Sequence, residues 1–191
     1  MKNIAFNALS ARGCGGVSAF INLFAALDKI DKDNNYIVYV SVKQSEIVAA
    51  IPDSFRKVSI DYLITNPFVR ILWEQIVFPV YLLINRVDIL YSVGNITSIL
   101  APCKVVLFIE NVNPYSLVDI KWSMGETLRH KFRKWLGWLS AKRANKVRFP
   151  SNNARRLLVK MLNLPVSKCI TIYHGWDGGA SAHYPNMNRN D

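Results

Sequence analysis

Four short clusters of glycine and polar residues stand where a ligand could be held. Gly13-Cys14-Gly15-Gly16 follows a short apolar run and precedes an amphipathic stretch. The backbone N–H groups of such a loop, with the amino end of the helix after it, can approach an anion such as a phosphate. The other clusters are Gly94-Asn95, Glu110-Asn111-Val112-Asn113-Pro114 and Ser151-Asn152, and a fifth position, His174-Gly175, closes the series. An ionised Glu110 can accept a hydrogen bond from a hydroxyl or act as a base, or it can simply order its own loop. His174 has no partners at metal-ligand spacing, so a zinc site has no support.

The first cluster matches two positions of a dinucleotide-binding G-x-G-x-x-G loop, with Ser18 at the third. The next apolar run, however, ends Val40-Ser41-Val42, with no acid to hold a ribose hydroxyl. No G-K-[ST] occurs, which excludes a Walker loop.

The elements that must position these clusters are legible as alternating apolar runs and helical patterns, the signature of βαβ units. The predicted strands are 3–8, 36–42, 57–60, 88–92, 104–109, 146–149 and 168–173. The unbroken centres Ile37-Val38-Tyr39-Val40 and Val105-Val106-Leu107-Phe108-Ile109 are those of strands covered on both faces. Val17, Phe20, Ile21, Phe24 and Leu27 fall at helical spacing. Ser151-Asn152-Asn153 caps a helix reaching about Leu162, with Leu157, Leu158 and Met161 as its buried stripe and Pro165 as its stop. The expected fold is α/β, a Rossmann-like parallel sheet flanked by helices on both faces. It forms one domain over 1–177, followed by a disordered tail over 178–191 that is rich in Gly, Asn and Asp. In such a sheet ligands bind beyond the carboxyl ends of the strands, and every cluster named above falls there.

The chain has 191 residues, 51% of them apolar, enough for one substantial core. Its three cysteines, Cys14, Cys103 and Cys169, form no C-x-x-C pair and support neither a disulfide framework nor a metal site, which fits a reducing, cytoplasmic setting. The amino-terminal apolar stretch is too short for a signal segment. The run 68–87 carries Arg70, Glu74, Gln75, Pro79, Asn85 and Arg86, and reads as one or two core-packed helices rather than a span.

The net charge of +11 is uneven. Between Thr127 and Lys168 stand twelve Lys or Arg and no acid. Such a block attracts phospholipid headgroups, phosphorylated substrates or nucleic acid. Leu128, Phe132, Trp135, Leu136 and Leu139 form an apolar helical stripe, with Arg129, Lys131, Arg133, Lys134, Lys142, Arg143 and Trp138 around it. Such a helix can lie in a membrane interface, or pack its stripe on the sheet and leave its lysines in water. Nucleic acid is the weaker reading, because no recognised binding motif accompanies the charge.

The order of Gly13-x-Gly15-Gly16, Trp73-Glu74-Gln75 with Pro79, Glu110-Asn111-x-x-Pro114, Pro150-Ser151 with Arg155, and Ile172-Tyr173-His174-Gly175-Trp176-Asp177 resembles the N-terminal, acceptor-side domain of family 4 retaining glycosyltransferases of the GT-B fold. The resemblance covers roughly residues 2–177. It implies that Gly13, Gly15 and Gly16 lie against the diphosphate of a nucleotide-sugar donor. It places Glu110 and Asn111 on the acceptor side, where many relatives carry a histidine, and Asn95, Ser151 and His174 along the cleft. His174-Gly175-Trp176-Asp177 stands where the family crosses into its second domain. That domain holds the donor with paired glutamates, and here no glutamate follows Glu126.

The expectation is therefore one half of a sugar-transferring enzyme, a truncated product or one subunit of a split enzyme, incomplete without a donor-binding partner. Its substrates would be a nucleotide sugar and a glycan or lipid-linked acceptor, with no metal cofactor. Its place would be the inner face of the cell membrane, with Arg129, Lys131, Arg133, Lys134 and Trp138 toward the lipid. The rivals are a single-domain Rossmann-like enzyme using a nucleotide cofactor, and a non-catalytic module that binds membrane or polysaccharide.

Overall fold

In the computed structural model, which describes residues 1–11, 14–60, 67–111, 115 and 123–173, seven strands form one sheet in which every neighbouring pair is parallel. The strands are β1 (Asn3–Asn7), β2 (Asn35–Val40), β3 (Arg56–Ser59), β4 (Ile89–Val93), β5 (Lys104–Phe108), β6 (Lys146–Phe149) and β7 (Cys169–Thr171), in the spatial order β3-β2-β1-β4-β5-β6-β7. The order reverses direction between β1 and β4, which opens a crevice at the carboxyl ends of those strands. All seven predicted strands are present. Gly13, His174 and the tail 178–191 lie outside the described residues.

Alternation along each strand divides the core into two layers. Phe6, Tyr36, Val38, Val40, Val93 and Phe108 face α1 (Cys14–Ile30) and α2 (Ser45–Ala49), meeting Phe20, Phe24 and Ile47. The rings of Phe6 and Phe24 meet edge to face at 5.3 Å, which fixes α1 over β1. On the other face, Ala5, Leu9, Tyr39, Leu90, Leu107 and Val147 meet α3 (Pro67–Ile76), α4 (Phe78–Ile84), α5 (Met124–Arg143) and α6 (Asn152–Leu162).

Two helices pack differently from their sequence patterns. In α6 the buried residues are Ala154, Leu158 and Leu162, while Leu157 is exposed. The contact stripe runs at i, i+4, i+8, one position around from the predicted one. In α5 only Leu136, Gly137, Ser140 and Ala141 are buried, and Leu128, Phe132 and Trp135 of the supposed packing stripe face solvent. The helix touches the sheet only through its second half, where Gly137 and Ala141 allow close approach.

The stretch 68–87 forms the two expected helices, α3 and α4, with one face left bare. While Ile71, Trp73, Phe78 and Leu82 enter the core, Val69, Leu72, Ile76, Val80, Leu83 and Ile84 remain exposed. Among the described residues no helix is long and apolar enough to cross a membrane.

Candidate functional site

Gly15 and Gly16 belong to the first turn of α1 rather than to a free loop. Gly15 is exposed and Gly16 is buried there. The first-turn N–H groups of a helix lack intrahelical acceptors and carry the positive end of its dipole. The group set against this turn belongs to the protein itself. A Cβ at Gly16 would lie 3.2 Å from Glu110 Oε2 and 3.4 Å from Oε1. Burial pushes the Glu110 carboxyl above its ordinary value, and the nearby Arg148 guanidinium opposes that rise.

Gly94 and Asn95 leave β4 beside the same turn. Gly94 adopts φ +101°, open to glycine, and the Ser10 side chain closes over it by donating to the carbonyl of Val93. Asn95 Nδ2 donates to the carbonyl of Asn111 at 2.9 Å, joining the loops after β4 and β5. Its Oδ1 is buried and accepts no hydrogen bond among the described residues. Gly15, Gly16, Asn95, Glu110 and Asn111 thus share the carboxyl rim on either side of the crevice.

Ser151 follows β6 on this rim, but its hydroxyl has a structural task. It accepts from the N–H of Ala154 at 3.1 Å and caps α6. Asn152 Nδ2 donates to the Tyr173 hydroxyl at 2.8 Å, which holds the exit of β7 against the start of α6.

Arg148 was not singled out from the sequence, where it reads only as one charge in a basic block. In the middle of β6 it donates to the Tyr91 hydroxyl at 2.7 Å and to the carbonyl of Ile172 at 3.2 Å, and its guanidinium stacks 4.1 Å over the Phe108 ring. With Gly15, Ser18, Asn22 and Tyr91 it lines a groove of about 470 Å³ running from the first turn of α1 down its flank. An arginine inside a four-residue strand, flanked by Val147 and Phe149, is the signal that could have found it.

The Trp73-Glu74-Gln75 motif lies beneath the rim and holds it in place. Gln75 donates to the Thr97 carbonyl at 3.0 Å and accepts from the Ile99 N–H at 2.8 Å, fixing the loop after β4. Glu74 is buried and accepts from Asn7 Nδ2 at 3.3 Å, with Arg70 Nε at 3.9 Å. Arg70 also donates to the Leu9 carbonyl at 3.3 Å, just before the glycines. Trp73 stacks on Phe78 at 5.3 Å.

Arg129, Lys131 and Arg133 are exposed on the first half of α5, while Lys134 is half-buried and Trp138 is exposed, with the Lys142 ammonium 5.9 Å from its ring. They lie on a helix rather than on a strand-end loop. Among the described residues no group of three His, Cys, Asp or Glu could hold a metal ion.

No protein-family model matches the sequence, and no curated protein matches it. Solved structures do match. A glycosyltransferase from Rickettsia africae ESF-5 superposes with a TM-score of 0.59 at 17% identity, over 91% of this chain and 43% of that one. MurG from Acinetobacter baumannii gives 0.54 at 15% identity, over 95% and 47%. A UDP-GlcNAc 2-epimerase from Neisseria meningitidis, bound to UDP-GlcNAc, gives 0.57 at 10% identity, over 90% and 46%. The chain therefore spans less than half the length of these structures, and what it shares with them is the Rossmann-like fold of one GT-B half.

Proposed function

We propose that this chain is the acceptor-side half of a retaining, family 4-like glycosyltransferase, which moves a sugar from a nucleotide donor to a glycan or lipid-linked acceptor at the inner membrane face. The observation that carries the reading is the gathering of Gly15, Gly16, Asn95, Glu110 and Asn111 on one rim of a parallel sheet, in a fold that forms half of solved sugar-nucleotide proteins. In the complete enzyme a donor-binding domain would close over this rim.

This reading divides the labour between two elements. The first turn of α1 offers N–H groups to a diphosphate, and Glu110, whose carboxylate lies against Gly16 of that turn, offers an acceptor for a sugar hydroxyl. Holding the leaving group and the acceptor hydroxyl in line is a placement task, in which preorganised dipoles contribute more than any single side chain. No metal is needed for this arrangement.

The test joins the chain to a donor-binding half, in one polypeptide or as two, and follows nucleotide release and the glycosylated product. Both halves are expected to be required, with Glu110→Ala and Asn111→Ala lowering turnover. Titration of a nucleotide sugar into the 191-residue chain alone is expected to give little heat, and tight binding there would favour the single-domain nucleotide-cofactor reading.

The epimerase neighbours support a second reading, in which the same rim faces a UDP-sugar that is rearranged rather than transferred. Product analysis separates the two, since an epimer forms without any acceptor.

A further inference from the structure

The helix pair α3–α4 has its charges inside, and what it shows outside is aliphatic. Every exposed residue between positions 69 and 84 is aliphatic: Val69, Leu72, Ile76, Val77, Val80, Leu83 and Ile84. Their relative exposures run from 38% for Val77 to 73% for Ile84. The charged residues of the same stretch turn inward, Glu74 at 3% and Arg70 at 13% side-chain exposure, and pair with each other. A water-facing helix ordinarily shows the reverse pattern, and contiguous apolar surface of this kind marks a docking face.

The surface continues toward α5. The loop after β4 is clasped from both sides, by Gln75 of α3 on Thr97 and by Ser140 of α5, whose Oγ accepts from the Thr97 N–H at 3.1 Å. Arg143 donates to the Ile99 carbonyl at 3.1 Å. Between these clasps Leu100 is 66% exposed. Beyond them, α5 presents Leu128, Phe132 and Trp135 beside Arg129, Lys131 and Arg133. All of these helices belong to the layer on one face of the sheet, so this apolar surface lies on the side of the layer away from it.

We propose that this outer face of α3, α4 and the first half of α5 docks on an anionic lipid bilayer, with the α3–α4 pair seating its aliphatic residues among the acyl chains and α5 supplying the cationic contacts. The charge decides the occupant. The first half of α5 carries Arg129, Lys131, Arg133 and Lys134 with no acid after Glu126, which matches a phosphatidylglycerol-type surface and would oppose pairing with a second copy of the same cationic chain. Stable attachment without a crossing helix takes two signals, one apolar and one polybasic, and both are here on adjacent helices. The inference deepens the membrane side of the proposed function but stands on exposure and charge, so it can fail without the sugar-transfer reading failing.

The test is flotation of the 191-residue chain with vesicles of phosphatidylcholine and phosphatidylglycerol, and with phosphatidylcholine alone. The chain is expected to float with the anionic vesicles and much less with the neutral ones. The variant Leu72→Gln/Ile76→Gln/Leu83→Gln is expected to partition at least about tenfold more weakly with an unchanged circular dichroism spectrum. Should that variant lose helicity, the single changes Leu72→Gln and Ile76→Gln carry the test, each with a partial loss. Full flotation of the well-folded triple variant overturns the proposal, as does a wild-type chain that stays in solution. If that non-floating chain sediments as a dimer which the triple variant splits, the occupant is a second copy.

Discussion

The carboxylate of Glu110 rests on the α-carbon of Gly16: a methyl group added there would stand 3.2 Å and 3.4 Å from its two oxygens, with the Ala11 methyl at 3.6 Å. The contact joins the first turn of α1 to the end of β5, across the crevice where the strand order reverses.

Gly15 and Gly16 are therefore expected to behave oppositely toward alanine. Nothing lies within 4 Å of a Cβ at Gly15, so Gly15→Ala should be neutral or stabilise by up to about 1 kcal/mol through helix propensity. Gly16→Ala must displace Glu110 and should cost about 1–2 kcal/mol. Urea unfolding of the pair measures the contrast. In a Glu110→Ala background the Gly16→Ala cost should largely disappear, because the obstructing carboxylate is gone.

Glu110 should also leave a mark on the pH dependence of stability. Burial raises its carboxyl above the ordinary 4.5, so the folded state holds the proton more tightly than the unfolded chain does. As pH rises from the unfolded value through the folded one, the wild-type protein loses stability to the cost of a buried anion. Glu110→Gln carries no such cost. Its melting temperature should exceed that of the wild type at pH 8, and the gap should close toward pH 4. A gap that widens on acidification would mean that the carboxylate is stabilised by its surroundings instead.

Ser151 offers a test that separates a capping role from a ligand role. Its hydroxyl accepts from the Ala154 N–H, so Ser151→Ala should cost about 1 kcal/mol, while Ser151→Asp keeps an acceptor and should restore most of the loss. Thermal melts measure both. A ligand role would show instead as a loss of activity in Ser151→Asp at unchanged stability.

These contacts show which parts of the molecule could be read in advance. The strands were legible because a sheet buried on both faces demands continuous apolar runs such as Ile37-Val38-Tyr39-Val40. Once the sheet is parallel, Gly94, Asn95 and Glu110 must share its carboxyl rim. The direction in which helices pack was not legible. Leu157 and Leu158 are adjacent and equally apolar, and only the position of the sheet decides that Leu158 is the buried one. The outward face of α3–α4 was hidden for the same reason. Nor does local pattern connect Glu110 to Gly16 or Arg148 to Tyr91, since both pairs form only when distant strands take their register.

Gly137 should resist the substitution that helix propensity favours. It lies inside α5, where alanine is ordinarily better than glycine by about 1 kcal/mol. A Cβ here would overlap the hydroxyl of the fully buried Tyr115 and come within 3.1 Å of the Asn95 carbonyl oxygen. Gly137→Ala is therefore expected to destabilise by about 1–3 kcal/mol. The displacement also falls on the loop that carries Asn95, so on the proposed reading the same variant should lower turnover once the chain is joined to a donor-binding half. Chemical unfolding gives the first effect, and turnover at saturating donor gives the second.

The buried pair Arg70–Glu74 yields the largest expected effect. Glu74 is 2% exposed, accepts from Asn7, and has the Arg70 Nε at 3.9 Å. Desolvation pushes its carboxyl upward, and the Arg70 charge and the Asn7 hydrogen bond oppose that. Removing only one partner leaves the other charge buried without compensation, so Glu74→Ala should cost about 3–5 kcal/mol. Glu74→Gln should cost less, because it keeps an oxygen for Asn7. Replacing both charges with apolar residues of similar volume, Arg70→Met with Glu74→Leu, should recover much of the stability lost by Glu74→Ala, because no ion is then left to desolvate. Arg70 also donates to the Leu9 carbonyl ahead of the glycines. The double replacement should therefore restore folding in urea titrations while leaving the α1 turn less firmly placed. A double variant no more stable than Glu74→Ala would show that shape and hydrogen bonding, rather than the unpaired charge, set the cost.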